Sequence, residues 1–302
     1  MMNSPSHSYH TPVLLDESID ALNIKSAGTY VDVTYGGGGH SKPILNRLSA
    51  EGHLYAFDQD EAAKANVVDD VRMTFVRSNF SYLNHYMKYY GVDGVDGILA
   101  DLGVSSHHFD EEDRGFSYRF DSLLDMRMNQ SASRSAKEVI ASATKEELVA
   151  IFSKYGELRN SKTFADKLIK ARSRSPILTV NDLLAVVDEA YRGDKQRYTA
   201  QVFQALRMEV NDELGVLKRF LDAAVGLLNP GGRLVVITYH SLEDKLVKQH
   251  LKYGVGAQET DIYGRVESNL LHITRKPIVP KDEEININSR AASAKLRVVE
   301  KK

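Results

Sequence analysis

Four consecutive glycines follow an apolar run and constrain the fold more than any other feature of this chain. The run ends at Asp32, the glycines occupy positions 36–39, and a helical pattern begins at Ser41. Glycine carries no β-carbon, so a strand-to-helix turn of this kind lets a ligand lie close to the backbone. Asp58 ends the next apolar run, where a carboxylate can accept hydrogen bonds from both hydroxyls of an adenosine ribose. The pattern predicts a nucleoside-cofactor site on a parallel sheet.

The spacing of the glycines separates two classes of cofactor. A dinucleotide-binding turn reads Gly-x-Gly-x-x-Gly, and counting from Gly36 gives Gly38 but then Ser41 in place of the third glycine. The missing glycine, and the carboxylate of Asp32 just before the turn, favour a cationic ligand without phosphates. S-adenosylmethionine, which joins adenosine to a sulfonium and an amino acid, is such a ligand. A plain glycine-rich loop remains the alternative, because short glycine motifs often occur without a ligand.

The composition is that of a globular protein without cysteine chemistry. The 302 residues are 42% hydrophobic and 26% charged, include no Cys, and carry a net charge of −2. The lack of Cys excludes disulfides, thiolate nucleophiles and cysteine-based metal sites. No signal-peptide core and no apolar run of roughly 20 residues is present, so we expect a soluble cytoplasmic protein without a membrane partner. Because the net charge is near zero, any nucleic-acid binding must rely on a local basic patch.

Strand and helix patterns alternate over the first hundred residues, which predicts right-handed crossovers and a parallel sheet. Helical patterns then replace the strands over 104–208. A long helix over about 199–228 precedes a last parallel strand, and two late runs, 270–274 and 295–299, are expected to form an antiparallel edge. The predicted parallel strands are 29–34, 54–58, 74–77, 97–102 and 233–239. The expected fold is an α/β Rossmann-like sheet with an all-helical domain inserted after strand four.

Eight blocks of sequence resemble one enzyme family, and they occur in the same order as in that family. The blocks are 10–17, 32–40, 101–106, 114–118, 124–128, 203–207, 211–214 and 240–244, and a further match covers 288–297. Together they resemble the bacterial small-subunit ribosomal RNA cytosine-N4 methyltransferases. The resemblance implies a class I methyltransferase fold, S-adenosylmethionine as the methyl donor, and a cytosine in the decoding region of the small subunit as the target.

The resemblance also implies which parts of the chain bind the cofactor and which part recognises RNA. Residues 1–103 and 209–302 are expected to form the S-adenosylmethionine-binding methyltransferase domain, and 104–208 the inserted helical domain that recognises RNA. The expected partner is small-subunit ribosomal RNA within an assembling subunit, and the sequence indicates no oligomeric state. Three alternatives stay open: a small-molecule or protein methyltransferase on the same fold, a non-catalytic RNA-binding assembly factor, and a nicotinamide-dependent oxidoreductase, which the missing glycine disfavours.

One of the cofactor contacts implied by the resemblance departs from the family pattern. The implied contacts are Gly38, Gly39, His40, Asp58, Phe80, Asp101 and His108. The family has Pro-Gln after its paired serines, whereas this chain has His107 and His108. A histidine ring can still donate one hydrogen bond, although it lacks the amide pattern of Gln. The paired histidines have no clear third ligand nearby, so we expect no metal site.

The expected catalytic residues are Asp101, Ser105 and His240, at the ends of strands four and five. The carboxyl ends of parallel strands are where open α/β sheets bind ligands, so Asp101 can accept hydrogen bonds from the target amine. No strong general base is required if the proton leaves after methyl transfer. Local turn hydrogen bonds for Ser105, and a structural role for His240, remain equally good alternatives.

The predicted inserted domain carries a basic segment. Residues 159–174 contain six Lys or Arg and one acid, and helical spacing predicts that Lys167, Lys170 and Arg174 share one face. Phosphate contacts and an ordinary solvated face are both open interpretations. Phe116 and Tyr118 could stack on a splayed base, although a core position is slightly preferred for Phe116.

Overall fold

The computed structural model describes residues 12–103, 114–253 and 268–302. Its strands are β1 Thr29–Asp32, β2 His53–Asp58, β3 Met73–Arg77, β4 Val95–Asp101, β5 Leu228–Thr238, β6 Leu270–His272 and β7 Lys295–Lys301. Its α-helices are α1 Leu15–Ala21, α2 Ser41–Arg47, α3 Leu83–Tyr89, α4 Ala136–Ser142, α5 Lys145–Lys154, α6 Ser161–Arg172, α7 Val180–Ala190, α8 Lys195–Val210, α9 Glu213–Leu227, α10 Ser241–Tyr253 and α11 Asp282–Ile287. Across these ranges, no helix has the length and hydropathy to span a membrane.

The strands form one sheet with the order β3-β2-β1-β4-β5-β7-β6. Strands β1 to β5 run parallel, whereas β7 pairs antiparallel with both β5 and β6. The strand order reverses between β1 and β4, and open α/β sheets bind ligands at the carboxyl ends of the strands at such a reversal. The Rossmann-like α/β sheet and its antiparallel edge are therefore confirmed, and the ends of β1 and β4 are where a candidate site is sought.

The central strands are buried on both faces. In β4, Ile98 and Ala100 belong to the hydrophobic cluster on one face of the sheet, and Leu99 belongs to a second cluster on the opposite face. In β5, Leu234 and Val235 alternate between the same two clusters. Successive side chains of a strand point to opposite faces, so burial of both faces requires a nearly continuous apolar run. This explains why these strands were predictable from uninterrupted apolar runs.

The chain divides into two compact units, one of Met1–Gly103 with Gly215–Lys302 and the other of Val104–Leu214. The second unit has its own aromatic core, in which Phe164 packs edge-on against Phe152 and Tyr198, with ring centroids 4.6 and 6.0 Å apart. Helix α7 begins with the capping pair of Thr179 and Asp182 that its sequence predicts. The inserted unit therefore has the local signals and the apolar core of an independent helical domain.

The single long helix expected over 199–228 is wrong, because the chain breaks between α8 and α9. Asp212 adopts a left-handed backbone conformation with φ of 47°. Asn211 accepts a hydrogen bond from the Met128 N–H at 2.7 Å and donates to the carbonyls of Met126 and Arg207, each at 2.8 Å. The apolar stripe continues past the break, so periodicity alone could not reveal it.

We expect Asn211→Ala to lower the free energy of unfolding by about 2–3 kcal/mol, because it removes three hydrogen bonds and leaves part-buried backbone groups without them. Asn46→Ala is the matched control, since Asn46 is exposed on α2 and its loss should change stability by less than about 0.5 kcal/mol. Urea unfolding of both variants measures the difference. Equal midpoints would show that Asn211 does not hold the break.

Candidate active site

The glycine turn is shaped by backbone conformation and by a buried tyrosine. Gly36 and Gly38 have positive φ of 53° and 74°, and the Gly38 N–H donates to the Tyr35 carbonyl at 2.7 Å. A β-carbon on Gly38 would lie 2.8 Å from the Tyr35 hydroxyl, which itself donates to the Asn66 carbonyl. Both positions therefore require glycine for internal reasons before any ligand is considered.

Gly39 and His40 also have internal partners. A β-carbon on Gly39 would lie 2.2 Å from the Pro12 side chain, so packing alone accounts for this glycine. The buried His40 ring has Nε2 3.2 Å from the Val13 carbonyl and Nδ1 3.9 Å from an Asp101 carboxylate oxygen. Since both ring nitrogens face protein groups, a contact between His40 and a cofactor would run through its backbone.

Asp58 connects the end of β2 to the glycine turn. One carboxylate oxygen accepts from the Gly36 N–H and the other from the Asp60 N–H, both at 2.8 Å. A carboxylate has about four acceptor sites, so these bonds are compatible with additional ones to a ribose diol. Apart from Gly36 and its two chain neighbours, no heavy atom of the described residues lies within 4 Å of the β-carbon position of Gly36. An open glycine turn beside a carboxylate fits the adenosine end of S-adenosylmethionine.

Phe80 follows β3 in a short 3-10 turn and is half-buried. Its ring and that of Phe220 form a T-shaped pair with centroids 5.3 Å apart, so Phe80 packs against the sheet's hydrophobic core. Asn79, which sequence reasoning missed, donates to the Gln59 side chain at 2.8 Å and caps the turn by accepting from the Ser81 N–H. The available signal was an Asn two residues after the end of a strand, in the region where polar side chains of an α/β sheet meet ligands.

Asp32 is buried and bonded within the fold. Its oxygens accept from the Thr34 N–H at 3.0 Å and from the Ser41 hydroxyl at 2.7 Å. The Thr34 hydroxyl in turn accepts from the Asp101 N–H at 2.8 Å, which connects the ends of β1 and β4. These bonds give Asp32 a structural function, which differs from the interpretation that its carboxylate faces a cationic ligand.

Asp101 lies at the end of β4, and 21% of its side chain is exposed. Burial raises its pKa and Asp32 raises it further, whereas His40, the Tyr239 hydroxyl and the Gly103 N–H lower it. The net result is a pKa above the ordinary value for Asp. A carboxylate that is reachable and unusually basic can take up a proton from a reacting group. Sequence reasoning missed Tyr239, although its position directly after β5 was an available signal.

His240 lies two residues after the end of β5. Its Nδ1 accepts from the Glu243 N–H at 3.4 Å, and Nε2 lies 3.0 Å from a Glu243 carboxylate oxygen without the alignment of a hydrogen bond. These contacts place the ring at the start of α10, and its assignment to the target base stays a prediction. Ser105 and His108, two further predicted site residues, lie outside the described residues.

With this geometry in place, comparison with known proteins decides the family. A model of the MraW methylase family matches residues 7–302. The chain belongs to this family. It is 53% identical to a Phocaeicola vulgatus protein named ribosomal RNA small subunit methyltransferase H, with 100% of both chains covered. A Parabacteroides distasonis protein of the same name is 54% identical over 99% of this chain and 100% of its own. The family resemblance of the sequence blocks is therefore confirmed.

The fold and cofactor class follow from family membership. An rRNA methylase structure from Streptococcus thermophilus aligns over 100% of this chain and 98% of its own, with 13% identity and a TM-score of 0.38. The seven-stranded sheet described above is the sheet of the class I methyltransferase fold, as the resemblance of the sequence blocks implied. S-adenosylmethionine is the methyl donor of this family, and the fit of the glycine turn and Asp58 agrees with it.

We expect Asp58→Ala to weaken S-adenosylmethionine binding by about 1.5–3 kcal/mol, the usual scale for hydrogen bonds to a charged group. Calorimetry on the folded variant measures the loss. Asp58→Asn is the matched comparison, because its amide oxygen can still accept from the Gly36 N–H, and it should retain more of the affinity. Wild-type affinity for S-adenosylmethionine in the Asp58→Ala variant would show that Asp58 does not contact the cofactor.

The raised pKa of Asp101 predicts a pH-dependent stability. A carboxyl whose pKa is higher in the folded state stabilises the fold when protonated, and this stabilisation is lost as pH rises. Asp101→Asn, which cannot ionise, should therefore be more stable than the wild type at pH 8. The difference should grow from about pH 4 upward, by about 1.4 kcal/mol for each unit that separates the folded and unfolded pKa values. Urea unfolding at several pH values that gave a constant difference would contradict the raised pKa.

Proposed function

We propose that this protein transfers a methyl group from S-adenosylmethionine to N4 of a cytosine in the decoding region of small-subunit ribosomal RNA, within an assembling subunit. Family membership and the names of the full-length relatives support the coarser activity, S-adenosylmethionine-dependent methylation of ribosomal RNA. One observation supports an amine as the methyl acceptor. Asp101, at the strand-order reversal, is a partly exposed carboxylate with a raised pKa. Such a group suits an acceptor that must lose a proton on methylation.

The chemistry assigned to the chain is positioning and proton acceptance. The bound cofactor supplies a methyl group on a positive sulfur. The exocyclic amine of cytosine is a poor nucleophile because its lone pair is delocalised into the ring. Asp101 accepts a hydrogen bond from this amine, which favours a more pyramidal nitrogen and fixes its direction. When the nitrogen gains the methyl group it loses one proton, and the basic carboxylate of Asp101 receives it.

Two further residues are proposed to act at the target base, in line with the family blocks that contain them. Ser105 follows β4 at a distance of four residues from Asp101, outside the described residues, and is assigned a contact with the base. His240 follows β5 and is assigned the same role. The contacts between His240 and Glu243 orient the ring, which supports a positioning function for Glu243 rather than an independent one.

We propose that the helical domain, predicted as 104–208, docks the RNA through α6 and the residues that follow it. Lys170 and Arg174 are exposed and have no ion pair within the described part of the chain. Lys167 differs from the expected free basic face, since it is 30% exposed and its Nζ lies 3.6 Å from a Glu189 carboxylate oxygen. The proposed phosphate contacts are therefore Lys170 and Arg174, with Lys167 at the flank.

Arg172 and the two aromatic residues Phe116 and Tyr118 are less available to RNA than the basic face. Arg172 donates to the carbonyls of Ile140 and Ala143, which close the end of α4, so its charge is used inside the domain. Phe116 is 4% exposed and belongs to the domain core, which rules it out as a stacking platform without rearrangement. Tyr118 is partly buried and packs edge-on against Phe203 at 5.5 Å. The basic face is thus the better candidate for RNA contact.

Product analysis tests the proposed function. Purified protein, S-adenosylmethionine with a labelled methyl group, and small ribosomal subunits that lack this modification should yield labelled N4-methylcytidine after nuclease digestion and mass spectrometry. The usual covalent route to 5-methylcytidine requires a Cys nucleophile, and this chain has none. Detection of 5-methylcytidine, or label only in protein, would refute the proposal. Naked RNA run in parallel shows whether the assembled particle is required.

A salt titration tests the RNA-docking face. Each phosphate contact contributes roughly 0.7–0.9 to the slope of log affinity against log salt. The double change Lys170→Gln with Arg174→Gln should therefore flatten the slope by about 1.4–1.8 without changing cofactor affinity. The matched control, Lys64→Gln with Lys88→Gln, alters the same charge at two exposed positions of the other unit. Parallel lines for wild type and both variants would exclude this face from RNA binding.

A further inference from the structure

The outer face of α10 carries a row of lysines. Lys245, Lys248 and Lys252 are spaced by three and four residues, so they lie on one face of the helix. All three are exposed. Val247 and Leu251 lie on the opposite face, where they are buried in a hydrophobic cluster of the sheet. The helix is thus anchored by its apolar side and presents positive charge to solvent.

Both acids of α10 are engaged inside the fold and leave this charge uncompensated. Glu243 is buried, and its carboxylate accepts a backbone hydrogen bond at 3.0 Å. Asp244 pairs with Arg297 of β7, whose guanidinium donates to both carboxylate oxygens, at 2.7 and 3.1 Å. Lys245 and Lys248 form no ion pair with any residue that the structure describes.

The stability of the helix accounts for only one of the lysines. Lys252 lies in the last turn, where the helix dipole stabilises a positive charge. Lys245 and Lys248 lie before that turn and gain nothing from it. A solvated helix face held by its own ion pairs carries charges of alternating sign. On α10, by contrast, every fully exposed charged side chain is a lysine.

The neighbouring helix α9 adds to the same positive charge. Asp222 of α9 has a partner on α10, since its Oδ1 lies 3.1 Å from His250 Nε2. Burial lowers the pKa of His250, Asp222 raises it, and the nearby charge of Lys218 lowers it. Lys218 is exposed and has no ion pair within the described part of the chain. The surface formed by these two helices therefore has an excess of lysines.

This surface starts beside the candidate site. Helix α10 begins three residues after the end of β5, which neighbours β4 in the sheet, so its first turn stands at the carboxyl edge of the strands. At a rise of about 1.5 Å per residue, the row from Lys245 to Lys252 spans about 10 Å. A stacked nucleic-acid strand advances about 3.4 Å per phosphate, so the row matches about three phosphates.

We propose that the outer face of α10 binds the phosphates of the RNA strand that flanks the target nucleotide. The face belongs to the unit that carries the sheet, and not to the helical unit that contains α6. The inference rests on the proposed function for the identity of the RNA. A polyanion is the favoured occupant, because lysines in a row without facing carboxylates repel one another until a counter-charge binds.

A salt titration of the full-length protein with RNA extracted from small ribosomal subunits tests this face. Lys245→Gln with Lys248→Gln should flatten the slope of log affinity against log salt by about 1.4, at roughly 0.7 for each contact with a single strand. Lys245→Arg with Lys248→Arg keeps the charge and should keep the slope. The matched control is Lys64→Gln with Lys88→Gln, at two exposed positions of the same unit. Cofactor affinity should stay unchanged in all variants.

The same variants are then titrated with whole small ribosomal subunits. Weaker binding of the Gln variant to both the RNA and the subunits would support the inference. Titration lines for RNA that run parallel in this variant and the wild type would overturn it. A loss confined to whole subunits would overturn it in favour of an acidic protein partner. A flattened slope in a protein whose wild-type form makes no N4-methylcytidine would instead refute the proposed function and leave this RNA-binding face intact.

Discussion

The site depends on the buried carboxylate of Asp32, which holds the ends of two strands and the start of a helix together. A buried carboxylate is costly unless hydrogen bonds satisfy it, and Asp32 obtains these bonds from Thr34 and Ser41. The Thr34 hydroxyl continues the network to the Asp101 N–H. The glycine turn, the first turn of α2 and the end of β4 are thereby fixed relative to one another, as preorganisation of the candidate site at the strand-order reversal requires.

Asp58 and Asp101 each stand at the end of a strand, but their physical surroundings differ. Both end parallel strands, and both accept backbone hydrogen bonds. Asp58 also shapes the glycine turn by accepting from the Gly36 N–H, so its removal should affect the turn as well as the proposed contact with a ribose. Asp101 lies where burial raises its pKa, so it can change its protonation state within a reaction. The two carboxylates thus lie at the ends of β2 and β4, on either side of β1, and only Asp101 has a raised pKa.

The sheet was predictable from sequence, because the apolar runs that end at Asp32, Asp58 and Asp101 indicate the strands and their carboxyl ends, where the candidate site lies. Side-chain partners far apart in sequence were not predictable. Asp244 pairs with Arg297 at 2.7 and 3.1 Å, although 53 residues separate them, and Asn211 breaks a helix whose apolar stripe continues. Such contacts depend on tertiary packing, which overrides local periodicity.

A crystal structure of the complex with S-adenosylhomocysteine tests the central claim that the ends of β1, β2 and β4 form the cofactor site. The account predicts that both ribose hydroxyls lie within about 2.5–3.2 Å of the Asp58 carboxylate oxygens, with the backbone of Gly38 against the ligand. It also predicts that the amino-acid end lies beside Asp101. Adenosine bound elsewhere, with Asp58 turned only toward Gly36 and Asp60, would contradict the account.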